Sequence, residues 1–289
     1  MLTVPFLRTP MAAYTLRLKQ VFLFEVLFSF IVLSSATLHA EETAGKQWPA
    51  AQQVSMDAID HQVFDQLLKK YVDTNGMVNY RAWHASKPDR DSLNSYLAHL
   101  SQANSNKPAT RNAKLAYWIN AYNAVTIEGI LRVYPTTSIR KHTAKLVGYN
   151  IWKKLKLHVG DGKINLEDIE HKVLRKMNEP RIHFAVVCAS IGCPRLLNEA
   201  YVAEKVEQQL EVNSKDFFSR SQNLQIDANT KTIKLSKLLD WYGSDFGADL
   251  NAQLVAYQKY WPTASLQSTI VGGFRVSYLP YDWNLNAQQ

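Results

Sequence analysis

Between about Asn112 and Tyr134 the chain carries a helix-length segment with almost no wet side. At 100° per residue, Leu115, Trp118, Ile119, Tyr122, Val125, Ile130 and Val133 cover one broad face. Ala113, Ala116, Ala124, Ile127 and Leu131 cover most of the opposite one, leaving a narrow stripe of Lys114, Glu128 and Arg132 for solvent. Such a helix is buried nearly all round, so the rest of the chain has to wrap it. Pro135 ends it. Asn120 and Asn123 lie on its small-residue face, where another backbone can come close. Two readings are open for them: they satisfy buried backbone groups, or they line a site and bind substrate.

The wrapping elements are partly legible. Met56 to Tyr71 has helical spacing of Ile59, Val63, Leu67 and Leu68, with Asp57 in its first turn, and Asp91 to Leu100 repeats the pattern more weakly. Two stretches, from Leu157 and from Leu224, read as strand, turn, strand and then helix, with Asp161-Gly162 as a tight-turn signal and Asn165 and Ser236 as helix caps. Asn75-Gly76 suggests a third hairpin. Hairpins beside helices indicate an α+β fold: a buried central helix with surrounding helices packed on a small, mainly antiparallel sheet. No interior stretch resembles a linker, so residues 41–289 read as a single globular domain.

The N-terminal segment reads as a signal peptide over residues 1–40. Arg17 and Lys19 precede an apolar run from Val21 to Leu33, followed by small residues up to Ala40. The run is shorter than the ~20 residues of a membrane span, and Glu25 interrupts it, so an uncleaved anchor is the weaker reading. Met11 is the more economical start, and Ala36 is the alternative cleavage point to Ala40. The expected mature chain begins near Glu41 and is periplasmic or secreted, with no stable membrane span after cleavage. Losing three leader cations and Glu25 lowers the net charge from +8 to about +6. Lys and Arg are dispersed, which argues against a nucleic-acid partner or a polybasic membrane patch.

The candidate chemistry is concentrated in two places. IHFAVVCASIGCPR, 182–195, holds both cysteines. Its apolar start reads as a buried strand with His183 and Cys188 on opposite faces, which weakens a simple Cys-His dyad. Ser190 in the following loop is a second candidate nucleophile. Being the only cysteines, even in number and sent to an oxidising compartment, Cys188 and Cys193 are expected to form a disulfide, with a redox-active pair as the alternative. In the second place, Glu170 sits within the apolar face of Leu166, Ile169, Val173, Leu174 and Met177, with His171 at its edge. A carboxyl group there needs a partner, Arg181, Arg195 or Arg140, or else is catalytic with a burial-raised pKa. The cysteine spacing matches no zinc motif, and Glu167, Glu170, His171 and His183 make only a weak metal set. No Walker loop, GxGxxG or Gly-x-Ser-x-Gly elbow occurs, so no metal and no cofactor is expected.

YWINAYNAVTIEGIL, YPTTSIR, INLEDIEHKVLR, PRIHFAVVCASIGCPRL, LSKLLDWYGSDF and YDWNLN occur in that order between Tyr117 and Asn286. The series resembles the domain-of-unknown-function family 547. The resemblance implies an exported bacterial protein and supplies no reaction. Two function classes follow. One is a hydrolase or transferase acting on a small-molecule or cell-envelope substrate, with Glu170, His171, His183 and Ser190 catalytic and Asn120, Asn123 and Arg195 binding substrate beside the disulfide-shaped loop. Its architecture is compatible by analogy with a papain-like or transglutaminase-like fold, although Arg111 to Lys114 offers no nucleophile at the start of the central helix. The other is a non-catalytic binding or scaffolding domain of the cell envelope. Export is checked by intact-mass analysis of periplasmic or secreted material. A species starting near Glu41 is expected, and a full-length membrane-embedded species would contradict it.

Overall fold

The computed structural model describes Met1 and residues 42–143, 150–267 and 273–289. The rest of the expected leader lies outside the described residues. Among the described residues no helix is long and apolar enough to cross a membrane.

Helices α1 (Gln62–Tyr71), α2 (Lys87–Leu100), α3 (Arg111–Val133), α4 (Val206–Ser219) and α5 (Leu250–Gln258) are joined by shorter helical turns and two small sheets. The fold is mixed α+β. Met56–Tyr71 is not one helix: a 3-10 turn, Met56–Ala58, precedes α1, and Asp57 turns away to accept hydrogen bonds from Thr110 N and Oγ1. That contact fixes the start of α3, because Thr110 itself caps α3 by accepting from Ala113 N.

α3 is the buried centre. All residues from Leu115 to Leu131 are buried, including Glu128, which pairs with Arg132 at 2.6 Å instead of facing water. On the opposite, large-residue face Gly129 lets a neighbouring segment come close, since an added Cβ would lie 2.9 Å from Ile151 Cγ2. Asn120 and Asn123, on the small-residue face, bind backbone. Asn120 donates to Tyr201 O at 2.7 Å and accepts from Tyr201 N at 2.9 Å. Asn123 donates to Ala185 O at 3.0 Å and accepts from Val187 N at 2.9 Å.

Both expected hairpins are present, in two separate three-stranded sheets. β1 (Thr43–Ala44) runs parallel to β2 (Lys156–Val159), which pairs antiparallel with β3 (Gly162–Asn165). β4 (Leu224–Asp227) pairs antiparallel with β5 (Thr232–Ser236), which runs parallel to β6 (Arg275–Leu279). The single, mainly antiparallel sheet is therefore corrected to two mixed ones. Asn165 and Ser236 cap the helical turns that follow, as their positions indicate. The third hairpin, at Asn75-Gly76, is reduced to one antiparallel bridge between Val72 and Val78. One apolar core surrounds α3, and a second, with Phe184, Phe217, Phe218 and Trp261, fills the space beside β4–β6.

Replacing Asn123 by Ala strands one buried carbonyl and one buried N–H. The expected loss in urea unfolding is roughly 2 to 6 kcal/mol, at about 1 to 3 for each group. A change below about 0.5 kcal/mol would show that the amide is dispensable.

Candidate active site: a sulfur pair in an aromatic cavity

The apolar run IHFAVV is not a strand. Pro180–Phe184 form a 3-10 turn, with Glu179 capping it by accepting from Arg181 N and Pro180 at its first position. Beyond it, Ala185 and Val187 take their backbone hydrogen bonds from Asn123, so this buried segment has no need of a strand neighbour. The correction matters because the turn removes the opposite-face constraint. His183, Cys188 and Cys193 line one cavity of about 260 Å³, together with Glu170 and His171.

Glu170 reaches this cavity from a composite helix. An α turn, Leu166–Asp168, passes into a π-helical stretch, Ile169–Leu174, and a 3-10 turn, Arg175–Met177. The π turn carries both Glu170 and His171, a placement common at functional sites. Glu170 is 8% exposed and has none of the expected arginine partners. Instead Tyr122 Oη donates to its Oε2 at 3.2 Å, and Tyr242 is also hydrogen-bonded to it. Burial pushes both phenols well above the usual tyrosine range, so each stays a donor. Arg181 binds Glu179 and Glu207, and Arg195 binds Thr74 O and Asn213 Oδ1, away from the cavity lining.

His183 is 1% exposed and stacks on Tyr242, ring centroids 4.1 Å apart. Its Nε2 is 2.8 Å from Asp245 Oδ2. Two hydrogen bonds from Arg175, helped by the one from His183, hold the Asp245 carboxyl down to about 2. An ionised carboxylate only accepts, so Nε2 carries the imidazole proton and Nδ1 presents a lone pair. Nδ1 is buried without a hydrogen-bond partner. Burial lowers the His183 pKa, opposed by Asp245, so the ring is neutral at pH 7. His171, exposed at the cavity's edge, accepts at Nδ1 from Arg175 at 3.2 Å.

The two cysteines are free thiols here, with Sγ atoms 2.6 Å apart. Cys193 Sγ accepts from Cys188 N at 3.0 Å and lies 3.1 Å from Tyr281 Oη and 3.4 Å from Ser190 Oγ. Burial opposes its ionisation, but the Cys188, Ser190 and Tyr281 donors outweigh it and bring its pKa down to about 7. Cys188 moves the other way, first because it is hydrogen-bonded to Cys193 and second because it is buried. One proton thus leaves the pair near neutrality and the other is retained. Ser190, 2% exposed, sits among the sulfurs as a hydrogen-bonding partner and is not part of the cavity lining.

The C-terminal segment completes the site. Ile191 N donates to Asn284 O, Gly192 N to Asp282 O, and Asn286 N to Ala189 O, whose residue adopts a left-handed φ of 60°. A Cβ on Gly192 would lie 2.9 Å from Asp282 N, so only glycine allows this approach, which sets Tyr281 over the sulfurs. Trp241 and Trp283 pack at a tilt against Tyr281, and Trp152 meets Trp283 edge-on, to form the mouth. Asp245, Tyr242, Tyr281 and Tyr122 are candidate functional residues to which the sequence alone assigns no role. The signal available was their position within the quoted motifs DWYGSDF, YDWN and NAYN. Among the described residues no group of three or more His, Cys, Asp or Glu is placed to hold a metal ion.

Imidazole NMR of the reduced protein tests the histidine geometry. His183 is expected to stay neutral and Nε2-protonated at pH 7, titrating below its ordinary 6.5. A His183 midpoint above 6.5, or an Nδ1-protonated ring, would contradict it.

A family model described as "Protein of unknown function, DUF547" matches residues 106–218. The span holds Tyr122, Glu170, His183 and both cysteines, whereas Tyr242, Asp245 and Tyr281 lie beyond it. No curated protein and no solved structure matches the chain, and the papain-like or transglutaminase-like comparison rests on analogy alone. The family match and the motif series agree, and the chain is a DUF547 domain-containing protein.

Proposed function

We propose that the cavity is the active site of a hydrolase or group transferase in which the reduced Cys188–Cys193 pair supplies the nucleophile and His183 moves the proton. The observation that carries the reading is a single cavity holding two facing thiols, one of them in reach of Cys188 N and Tyr281 Oη, and a buried histidine fixed at Nε2 with a free Nδ1. In the reduced pair Cys193 carries the negative charge. Proton transfer across the 2.6 Å gap makes Cys188, the more exposed of the two, the attacking sulfur. Its lone pair forms a bond to an acyl carbon, and the carbonyl π pair moves to oxygen. Collapse breaks the bond to the leaving group, which takes the proton that Cys193 received, relayed through His183 Nδ1, and leaves a Cys188 thioester with Cys193 again the thiolate. Water or an acceptor then attacks the thioester and returns the thiol. Tyr281, held protonated mainly by burial, donates to the sulfur that carries charge.

Export with cleavage near Ala40 is part of this proposal, on the strength of Arg17, Lys19 and the apolar run that follows. In an oxidising compartment a dithiol oxidant would join the facing sulfurs as a disulfide, releasing two protons and two electrons to the oxidant. That form has no nucleophile until reduced, so the expected disulfide is the resting state of the site. A non-catalytic cell-envelope binding domain is the second class, favoured by an aromatic mouth that binds as readily as it catalyses.

The experiment is a screen of thioester, ester and amide substrates with reduced protein, alongside Cys188→Ser, His183→Asn and thiol counting of non-reduced, denatured protein. Turnover that disappears in both variants, and no free thiol before reduction in exported material, are expected. Turnover unchanged in Cys188→Ser would end the thiol mechanism, two free thiols in freshly exported protein would end the resting disulfide, and no turnover on any class would leave the binding domain.

A further inference from the structure

The charges around the cavity are unevenly paired. Lys153 lines it but lies 3.3 Å from Glu167, and Arg175 behind Tyr242 is held by both oxygens of Asp245. Arg140 lies over Trp283, 5.1 Å from the ring centroid, on the mouth. Glu170 differs from these. It is 8% exposed, it faces the cavity, and among the described residues no Lys, Arg or His nitrogen pairs with it. Its hydrogen bonds come from two neutral phenols, Tyr122 and Tyr242. A buried carboxylate is costly without a compensating charge, and among the described residues none pairs with Glu170 directly: Arg175, whose field reaches it, is held by Asp245. The rings of Tyr122, Tyr242, Trp241 and Tyr281 line the same cavity, and aromatic faces attract cations and gain little from anions. Carboxylate and aromatic walls together are the chemistry of an ammonium site.

We infer that Glu170 is the recognition group for a primary ammonium, and that the substrate of this site carries one. The assignment rests on the cavity being the active site proposed above and names its substrate class: an acyl compound bearing a free amine, seated with the amine at Glu170 and the acyl carbon at the sulfurs. Glu170 then binds and positions substrate, while bond making stays with the sulfur pair and His183. The cavity's roughly 260 Å³ admits an aliphatic amine of side-chain size and excludes a folded partner.

The test is isothermal titration of the reduced full protein in 0.15 M salt with three probes of similar length: n-butylammonium, 1-butanol and butyrate. Saturable butylammonium binding at least tenfold tighter than butanol is expected, with no butyrate binding. Glu170→Gln should bring butylammonium down to the level of butanol. Trp241→Ala changes a residue that is 44% exposed, so folding is safe, and should weaken butylammonium several-fold. Equal affinity for butanol, binding of butyrate, or full binding in Glu170→Gln would each overturn the inference, as would no binding of butylammonium at all. Iodoacetamide alkylation of Cys188 is followed in the same samples. A reactive, turnover-competent thiol without ammonium selectivity removes only the inference. Ammonium selectivity with an inert thiol removes the thiol mechanism and leaves a binding pocket.

Discussion

The site depends on side-chain amides of the central helix taking the place of a sheet. Asn123 supplies both hydrogen bonds that a strand neighbour would have supplied to Ala185 and Val187, and Asn120 does the same for Tyr201. Asn213 on α4 extends the arrangement by donating to Phe184 O and Arg195 O. Held this way, the segment from His183 to Cys193 makes one antiparallel bridge, Ser190 to Leu285, and among the described residues has no strand pairing before it. It can turn a histidine and two sulfurs toward one space. Buried and bonded to backbone on both sides, the amides position the site.

Distant parts of the chain meet at that segment. The π turn of the composite helix brings Glu170, the turn after β5 brings Tyr242 and Asp245, and the C-terminal segment lays Tyr281 over the sulfurs. Each contribution sets a charge. Arg175 keeps Asp245 ionised, Asp245 fixes the His183 tautomer, and Tyr281 and Ser190 help draw a proton from Cys193. Burial works in the opposite direction on that sulfur, so its lowered pKa measures how many donors converge on it.

The central helix was legible because its composition leaves it no wet face, and the two hairpins because a tight turn needs Asp-Gly or its equivalents. Glu170 was legible as an anomaly, a carboxylate inside an apolar stripe. Its partners were not. Periodicity favours arginine as the natural counter-charge, whereas the structure uses Tyr122, whose ring belongs to the apolar pattern and whose hydroxyl leaves no trace in it. IHFAVV was misread as a strand for a related reason. A buried apolar run looks the same whether a neighbouring strand or an asparagine satisfies its backbone. Arg195 and Ser190, drawn to the site by nearness in sequence to the cysteines, serve instead as structural and sulfur-side hydrogen-bonding groups.

The central claim is that converging donors make one sulfur of the pair a thiolate near neutrality. Thiolate absorbance at 240 nm, followed in the fully reduced protein from pH 5 to 10, reads this directly. One equivalent should ionise around pH 7, while the second stays protonated well beyond the ordinary cysteine range. Two equivalents rising together near the unperturbed value of about 8.5 would contradict the account.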